Sequence, residues 1–496
     1  MKHKTILFLG LFALSYSAFS QAFYQPTHVC CDINDEILNL KIVTAKNNIR
    51  EQLKNTPDNF YLYYLEQYAD FIGLLIAPNE EKYKHFKSNY YAYRDILDNR
   101  DTDSPYYLFI KSTMQLQMGI AKLKSGDYIS GVNLAFRAYR NTRKNTHRFP
   151  DFYGNKKMNG LFNLILTNVP PFIRNLAKVF GVRPSKENPI DLLKQYKNGI
   201  AGKPGLKVEA DIFISLAYLL EKEPEKGFLH LSSLEPEEYN NFLIKYFYGN
   251  LAYHARENEK ALKVFRTIDI NRTEVPFYPY YFLYGKILIN KLEPGAKDLL
   301  LKFINETNGT DYLKQAHLYL AYCYLLGGNK EKYENELILV KNTGSDKTER
   351  DRDALCDLKS GYTPDTILLQ AFFLEKGGYY SRAENKLSRY SFSLQLSMPD
   401  KLNYLLLKGD VALGLHDTIS ATGYYKETIA IGIKEKYYYA CNAALNLGII
   451  YEKQGDFKAA DVYYGLCKEL YNPDFYESVL NKAEKGLTRI GNEINK

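Results

Sequence analysis

The stretch Leu445-Asn446-Leu447-Gly448-Ile449-Ile450-Tyr451, followed by Gly455-Asp456-Phe457-Lys458-Ala459-Ala460 and by Tyr463-Tyr464 before Pro473, decides the fold. Apolar residues recur at helical spacing on both sides of Gly455-Asp456, a dipeptide suited to a tight turn, so the segment reads as two antiparallel helices. Gly448 and Ala460 are small where the two helix backbones must approach, and Tyr451 and Tyr464 are large one turn beyond each. A lone hairpin of this kind cannot bury its apolar face. It therefore predicts neighbours of the same form and an all-α architecture, a right-handed superhelix of antiparallel helical hairpins.

Working back from this hairpin, Gly409, Ala421 and Tyr425 precede Gly448, Ala460 and Tyr464 by 39 residues each. The twelve-residue interval from Gly448 to Ala460 recurs between Gly249 and Ala261 and between Gly119 and Gly131. Gly285 with Ala296, Leu320-Ala321 with Tyr333, and Ala371 with Ala383 mark further members. Asn342 to Arg352 is expected to be a polar, mobile connection. Nearer the amino terminus, residues 32 to 56 read as one helix through Ile33, Ile37, Ile42, Ala45 and Ile49, followed by helices over Tyr61 to Leu75 and Glu80 to Leu97. The expected divisions are a leader at 1–20, an N-terminal helical region at 21–104, a first repeat hairpin with an insertion at 105–204, and a repeat array at 205–496.

The hairpin of Gly119 and Gly131 ends in Arg137, Arg140, Arg143 and Lys144, where cations suit the carboxyl end of a helix; a patch for phosphate or lipid headgroups is the alternative. The run Gly160-Leu161-Phe162-Asn163-Leu164-Ile165-Leu166 then leads to Pro170-Pro171 and Phe172-Ile173-Arg174-Asn175-Leu176-Ala177-Lys178-Val179-Phe180-Gly181. The double proline halves the segment and two cations charge its second half, so it does not read as a membrane span. Two short helices are expected, with Phe172, Leu176 and Phe180 packing into the core; a membrane-surface hairpin is the alternative.

With its small contact residues and large fillers, the array resembles the tetratricopeptide-repeat superfamily, although its 39-residue period exceeds the ~34 usual there. Residues 106–200, with their repeat hairpin, basic helix end, Gly-Leu-Phe-Asn-Leu stretch and Pro-Pro, resemble the inclusion-body clearance and tetratricopeptide-39 family. The resemblance implies a TPR-like α-solenoid and a non-catalytic adaptor role, and it brings no active-site residues. Members of that family are intracellular, whereas this chain begins with an export pattern.

That pattern is Lys2 and Lys4, the apolar run Ile6 to Leu14, and Ala18-Phe19-Ser20 before Gln21, a secretory signal peptide that leaves Gln21 as the first mature residue. With glutamine after the cut it is similar to signals of Bacteroidetes-type bacteria, which places the protein in the periplasm or at the cell surface. Without the leader's two lysines the formal charge falls from +8 to +6. Lysines read as scattered among glutamates, and no nucleic-acid partner is expected. The adjacent Cys30-Cys31, with His28 and Asp32, could ligate a metal, but no second ligand pair stands at a zinc-like spacing, and a long-range disulfide or free thiols are the favoured readings. Cys441 and Cys467 lie on the two helices of one hairpin and could approach each other.

No His-Glu-x-x-His, Gly-x-Ser-x-Gly, phosphate loop or dinucleotide glycine pattern is present, so no catalytic residue, metal ligand or cofactor is assigned and no enzyme is expected. His254 and His317 read as packing or surface residues. The pairs Glu80-Glu81 and Glu237-Glu238 suit helix starts. The 45 tyrosines, with tryptophan absent, exceed what the filler positions need. The surplus, including Tyr90-Tyr91-Tyr93, Tyr278-Tyr280-Tyr281 and Tyr437-Tyr438-Tyr439, suits a recognition surface. The resemblance to the repeat class implies a groove lined by the first helix of each hairpin, and projecting outward from the small contact residue there gives the binding candidates Tyr246, Asn250, Tyr253, Asn403, Asp410, Asn442 and Ile449. The expected function is an exported scaffold holding a protein or peptide in its groove; the alternative is a module for glycan or a lipid membrane surface at the cell envelope.

Overall fold

A computed structural model describes residues 24–98, 103–183, 185–234, 239–390 and 396–494. The leader and the Glu237-Glu238 pair lie outside them. Among the described residues the regular structure is entirely helical, arranged as antiparallel hairpins. The chain forms two compact units, the first running to Leu251 and taking in Thr267–Phe277, the second comprising Ala252–Arg266 and everything from Tyr278 onward.

In the first unit the single helix expected over 32 to 56 is two, His28–Leu38 and Ile42–Asn55. The chain turns at Leu40, which adopts a left-handed conformation (φ 59°) with its side chain fully buried. The break is held by other parts of the unit. Asn39 accepts the Phe242 N–H at 2.9 Å, and the Glu274 carboxylate accepts the Thr44 N–H at the start of the second helix, also at 2.9 Å. Pro105–Lys124 and Tyr128–Arg148 form the hairpin read from Gly119 and Gly131. Here the contact is backbone on backbone: a Cβ added to either glycine would stand 3.0 or 2.9 Å from the other's carbonyl oxygen. Asp127 caps the second helix by accepting the Ser130 N–H.

Two helices, Tyr153–Asn168 and Pro171–Val179, meet at Pro170-Pro171 as expected. Their apolar sides enclose a small cavity of about 30 Å³ lined by Val132, Phe162, Leu166, Ile173 and Ala177 among others. One expectation fails: Leu176 and Phe180 pack inward, but Phe172 is 54% exposed. The N-terminal helix closes the unit by packing on Pro204–Leu220, where Asn34 donates to the Gly205 carbonyl at 2.9 Å.

In the second unit the 39-residue register holds in space. Gly409 faces the ring of Tyr425 and Gly448 that of Tyr464; a Cβ at either would meet the ring at 2.5 or 2.6 Å. The room left by the glycine is filled by the tyrosine, whose hydroxyl donates to Asp410 at 2.7 Å in one repeat and to Glu452 at 2.5 Å in the next. Cys441 and Cys467 are buried thiols with sulfurs 3.6 Å apart.

The order of hairpins in space departs from their order in sequence. After the pair Leu313–Leu326 and Lys330–Asn342, a single helix, Glu349–Lys359, packs through Ala354 on Leu318 and Val340. Much of the 342–352 connection is therefore structured, with the Thr348 hydroxyl capping this helix on the Asp351 N–H. The next hairpin, Thr366–Lys376 with Tyr380–Ser388, returns to the earlier helix Pro279–Lys291. There Arg382 donates to the Lys291 carbonyl at 3.2 Å, and Asn258 donates to the Tyr379 hydroxyl at 3.1 Å. The 349–359 helix reaches the C-terminal end, pairing Arg352 with Glu477 and Lys359 with Asp474.

Candidate functional site

Within the second unit, the inner helices gather polar and aromatic side chains around Lys286. Its helix, Pro279–Lys291, is otherwise apolar from Pro279 to Ile289. Gly285 faces Leu300 of the partner helix, with room for no larger residue without displacement. Lys286, one residue on, enters a cage of rings. Its ammonium lies 4.9, 5.1 and 5.3 Å from the ring centres of Tyr253, Phe282 and Tyr319. Lys286 is only 6% exposed, and it donates to the Gln315 carboxamide oxygen at 3.3 Å. No carboxylate among the described residues forms an ion pair with it.

The charge that acts on it is a second cation, Arg350 at the start of the 349–359 helix. Burial, with Arg350 adding to it, pushes the Lys286 ammonium down to about 7. The neighbouring His254 imidazole is pushed down to about 3, by burial first and then by Arg350 and Lys286. Asn290, one turn beyond Lys286 and 1% exposed, has neither side-chain nitrogen nor oxygen hydrogen-bonded within the protein. Arg350 keeps 46% of its side chain exposed, with Asp353 at 3.6 Å.

Aromatic contacts continue from this point. Tyr319 and Tyr322 both pack on Phe373, at 5.8 and 6.0 Å. Farther along the 349–359 helix, Asp357 accepts a hydrogen bond from the Tyr476 hydroxyl, and Tyr476 packs on Tyr438 at 4.8 Å. Burial lifts the Asp357 carboxyl to about 7, with Asp353 adding to the shift and Tyr476 opposing it. A separate network surrounds Glu375, which is fully buried. Arg256 contacts it at 2.5 Å and Lys376 at 3.1 Å; burial alone would raise its carboxyl, but these cations hold it below the ordinary range. The carboxyl of Asp410 is lifted to about 6, by burial and then by Glu375.

The sequence candidates fall into separate environments. Tyr246, half-buried, lies in the first unit against Phe277 at 4.7 Å, and Asn250 is half-buried one turn on. Tyr253 belongs to the Lys286 cage. Asn403 donates to the Tyr362 hydroxyl at 3.4 Å, and Tyr362 donates to Asp400 at 2.6 Å. Asp410 accepts from Tyr425 and, at 3.0 Å, from Asn446, so it ties adjacent repeats together. Asn442 has a buried carbonyl oxygen without a partner within the protein, and Ile449 packs on the terminal core. Sequence reasoning missed Lys286, Arg350, Tyr319 and Asp357. A signal for Lys286 existed, since it is the single charge between Pro279 and Asn290 and directly follows the small contact residue.

The metal-ligand reading weighed for Cys30-Cys31 does not assemble: Cys30 is wholly buried and hydrogen-bonded to Thr27. Among the described residues no group of three His, Cys, Asp or Glu side chains could hold a metal ion.

Neither a protein-family profile nor a curated protein sequence matches the chain. Among solved structures it is similar to the apo form of RapI, at 16% identity and a TM-score of 0.29 over 83% of this chain and 97% of that one. It is also similar to the TPR domain of P58(IPK), at 15% identity and 0.22 over 87% and 99%. The Cut9-Hcn1 hetero-tetramer of APC/C follows at 13% and 0.28, over 97% and 92%. Superpositions this loose transfer neither geometry nor activity, and the all-α repeat architecture rests on the helix packing described above.

Proposed function

We propose that the chain is an exported, non-enzymatic scaffold whose second unit binds a protein or peptide partner along its inner helices. The observation that supports this reading is Lys286, a caged and desolvated ammonium that Arg350 acts on and that forms no ion pair with a carboxylate among the described residues. Burying a cation without a counter-charge is costly. An acidic partner segment reaching Arg350 would supply the missing charge, while the half-buried Tyr319, Tyr322 and Tyr438 offer apolar area with hydroxyl tips for the rest of the segment. Export rests on the leader read from Lys2 to Ser20, and Gln21 as the first residue of protein recovered from the cell envelope would support it.

The test replaces Tyr322 with a photoreactive amino acid in the full chain and crosslinks in the native cells. Discrete crosslinked proteins that disappear when Arg350→Glu is added are the expected result. The reading is overturned if the purified chain retains polysaccharide through the tyrosine face and no protein is captured.

A further inference from the structure

The chain's positive charge is not spread as its composition implies. Between Tyr128 and Lys186 there are eleven Lys and Arg residues and one acid, Asp151. The rest of the chain holds 54 of the 65 cations and 56 of the 57 acids, so it is slightly acidic. The expectation of scattered lysines therefore fails for this block, which belongs to the first unit.

Two of the eleven cations are used internally by carboxylates, Lys157 by Glu209 and Arg148 by Asp103. Arg174 donates to the carbonyls of Thr167 and Val169. On the 128–148 helix, Arg137, Arg140, Arg143 and Lys144 are exposed, and none forms an ion pair with a carboxylate among the described residues. Their spacing puts them along one side of the helix. Arg140 lies over the Phe136 ring and Arg143 over the Tyr139 ring. Those same rings adjoin the segment after the double proline: Phe136 packs on Phe180 at 5.9 Å, and Tyr139 donates to the Arg183 carbonyl at 3.2 Å. Lys178 and Arg183, exposed and likewise unpaired, thus continue the basic strip.

An apolar edge adjoins it. Phe172 is 54% exposed and Val179, seven residues along the same helix face, 82%. Tyr128 stands edge-on to Phe172 at 5.3 Å, and the adjacent Ile129 is 71% exposed. Of the acids nearby, Asp127 pairs with Lys122 at 2.6 Å and Glu221 lies beside Asn168.

We propose that this face docks on an anionic lipid surface. Phe172, Val179 and Ile129 enter the boundary between headgroups and acyl chains while the arginines and lysines meet lipid phosphates, a combination that holds a short amphipathic helix in the interface plane. Exposed aliphatic tips distinguish it from a nucleic-acid surface, which needs the cations and gains nothing from Val179 or Ile129. No described helix is long and apolar enough to cross a membrane, so the contact lies on the bilayer. This surface is independent of the Lys286 site.

Because the chain contains no tryptophan, Phe172→Trp creates a single reporter. With vesicles of phosphatidylcholine and phosphatidylglycerol its emission should move to shorter wavelength, with no shift on phosphatidylcholine alone, and high salt should reverse it. Arg140→Glu with Lys178→Glu should weaken binding of the full chain to anionic vesicles by roughly tenfold or more. Val179→Asn should weaken it at an unchanged melting temperature, which separates lost docking from lost folding. The proposal is overturned if anionic vesicles neither shift the emission nor carry the chain into the pellet. It is equally overturned if a short DNA duplex binds parent and Val179→Asn alike more tightly than vesicles do.

Discussion

Lys157 in the first unit and Lys286 in the second are both buried in cages of aromatic rings, and their nearest polar partners are a glutamate and a glutamine respectively. Lys157, 1% exposed, donates to both oxygens of Glu209 at 2.8 and 2.7 Å, and Tyr196 donates to the same carboxylate at 3.1 Å. The rings of Tyr64, Phe109, Tyr196 and Phe213 surround it. Lys286 has a similar cage but meets the neutral Gln315. The aromatic cage is thus common to both units and belongs to how this tyrosine-rich chain fills space around a lysine stem. What differs is the counter-charge. A pair closed on itself is structural, whereas an unanswered ammonium next to an exposed arginine leaves a charge deficit that something outside the chain can fill.

The largest effect that would test this contrast is Glu209→Gln, which gives Lys157 the partner that Lys286 has. It strands a wholly buried cation and should lower unfolding free energy by about 3 to 5 kcal/mol, read from urea or thermal unfolding. Removing both charges together, as Lys157→Met with Glu209→Leu, should cost far less or nothing. If the single and double variants are equally unstable, the pair is not what makes the first site.

At the second site the expected sign reverses. Lys286→Met removes a cation that folding desolvates and should raise stability by about 1 to 3 kcal/mol near neutral pH. The gain has a pH signature. The folded-state ammonium lies at about 7 against an ordinary 10.5, so between those values the unfolded chain binds the proton that the folded chain has released. Stability contributed by this group therefore rises with pH across that window and is lost as pH falls through 7. The advantage of Lys286→Met should be greatest below pH 7 and fade towards pH 10. Melting curves of parent and variant that run parallel from pH 6 to pH 10 would remove the claim that Lys286 is held uncompensated.

How far this contrast could be read from the chain depends on the range of the interaction. The terminal hairpins were legible because a glycine and the ring that covers it, Gly448 with Tyr464, lie sixteen residues apart and recur in register. The break at Leu40 was not, since a turn that preserves helical phase leaves the apolar spacing of Ile37, Ile42 and Ala45 intact. Nor was the return of the 366–388 hairpin to the 279–291 helix, which is tertiary packing that no local pattern encodes. Lys286 was visible as a charge in an apolar helix, but its lack of an acid was not, because its polar partner is 29 residues away. Charge averaged over the whole chain concealed how far the basic block extends beyond Arg137, Arg140, Arg143 and Lys144, which a window from Tyr128 to Lys186 exposes. The projection rule that chose Tyr253 found one wall of the cage, yet the same rule chose Asp410, whose oxygens are committed to Tyr425 and Asn446.

The smallest expected change in stability belongs to Gln315→Glu, which gives Lys286 what Lys157 has. The side chains are nearly isosteric, and the Gln315 oxygen already stands 3.3 Å from the ammonium, so little repacking is needed. Two effects then oppose each other. The new carboxylate answers Lys286, but it enters near Asp351, a fully buried acid that accepts the N–H of residue 315 at 3.2 Å and of Tyr312 at 2.7 Å. Repulsion between the two carboxylates and the desolvation of the new one offset much of the attraction, leaving a net change within about 1 kcal/mol. The informative readout is therefore the pH dependence. An answered ammonium regains a value nearer the ordinary range, so the rise in stability between pH 7 and pH 10 should flatten, and Lys286→Met added to Gln315→Glu should now destabilise by stranding the carboxylate. If the slope stays and the second substitution still stabilises, the difference between the two lysines lies in the depth of their cages rather than in the charge of their partners.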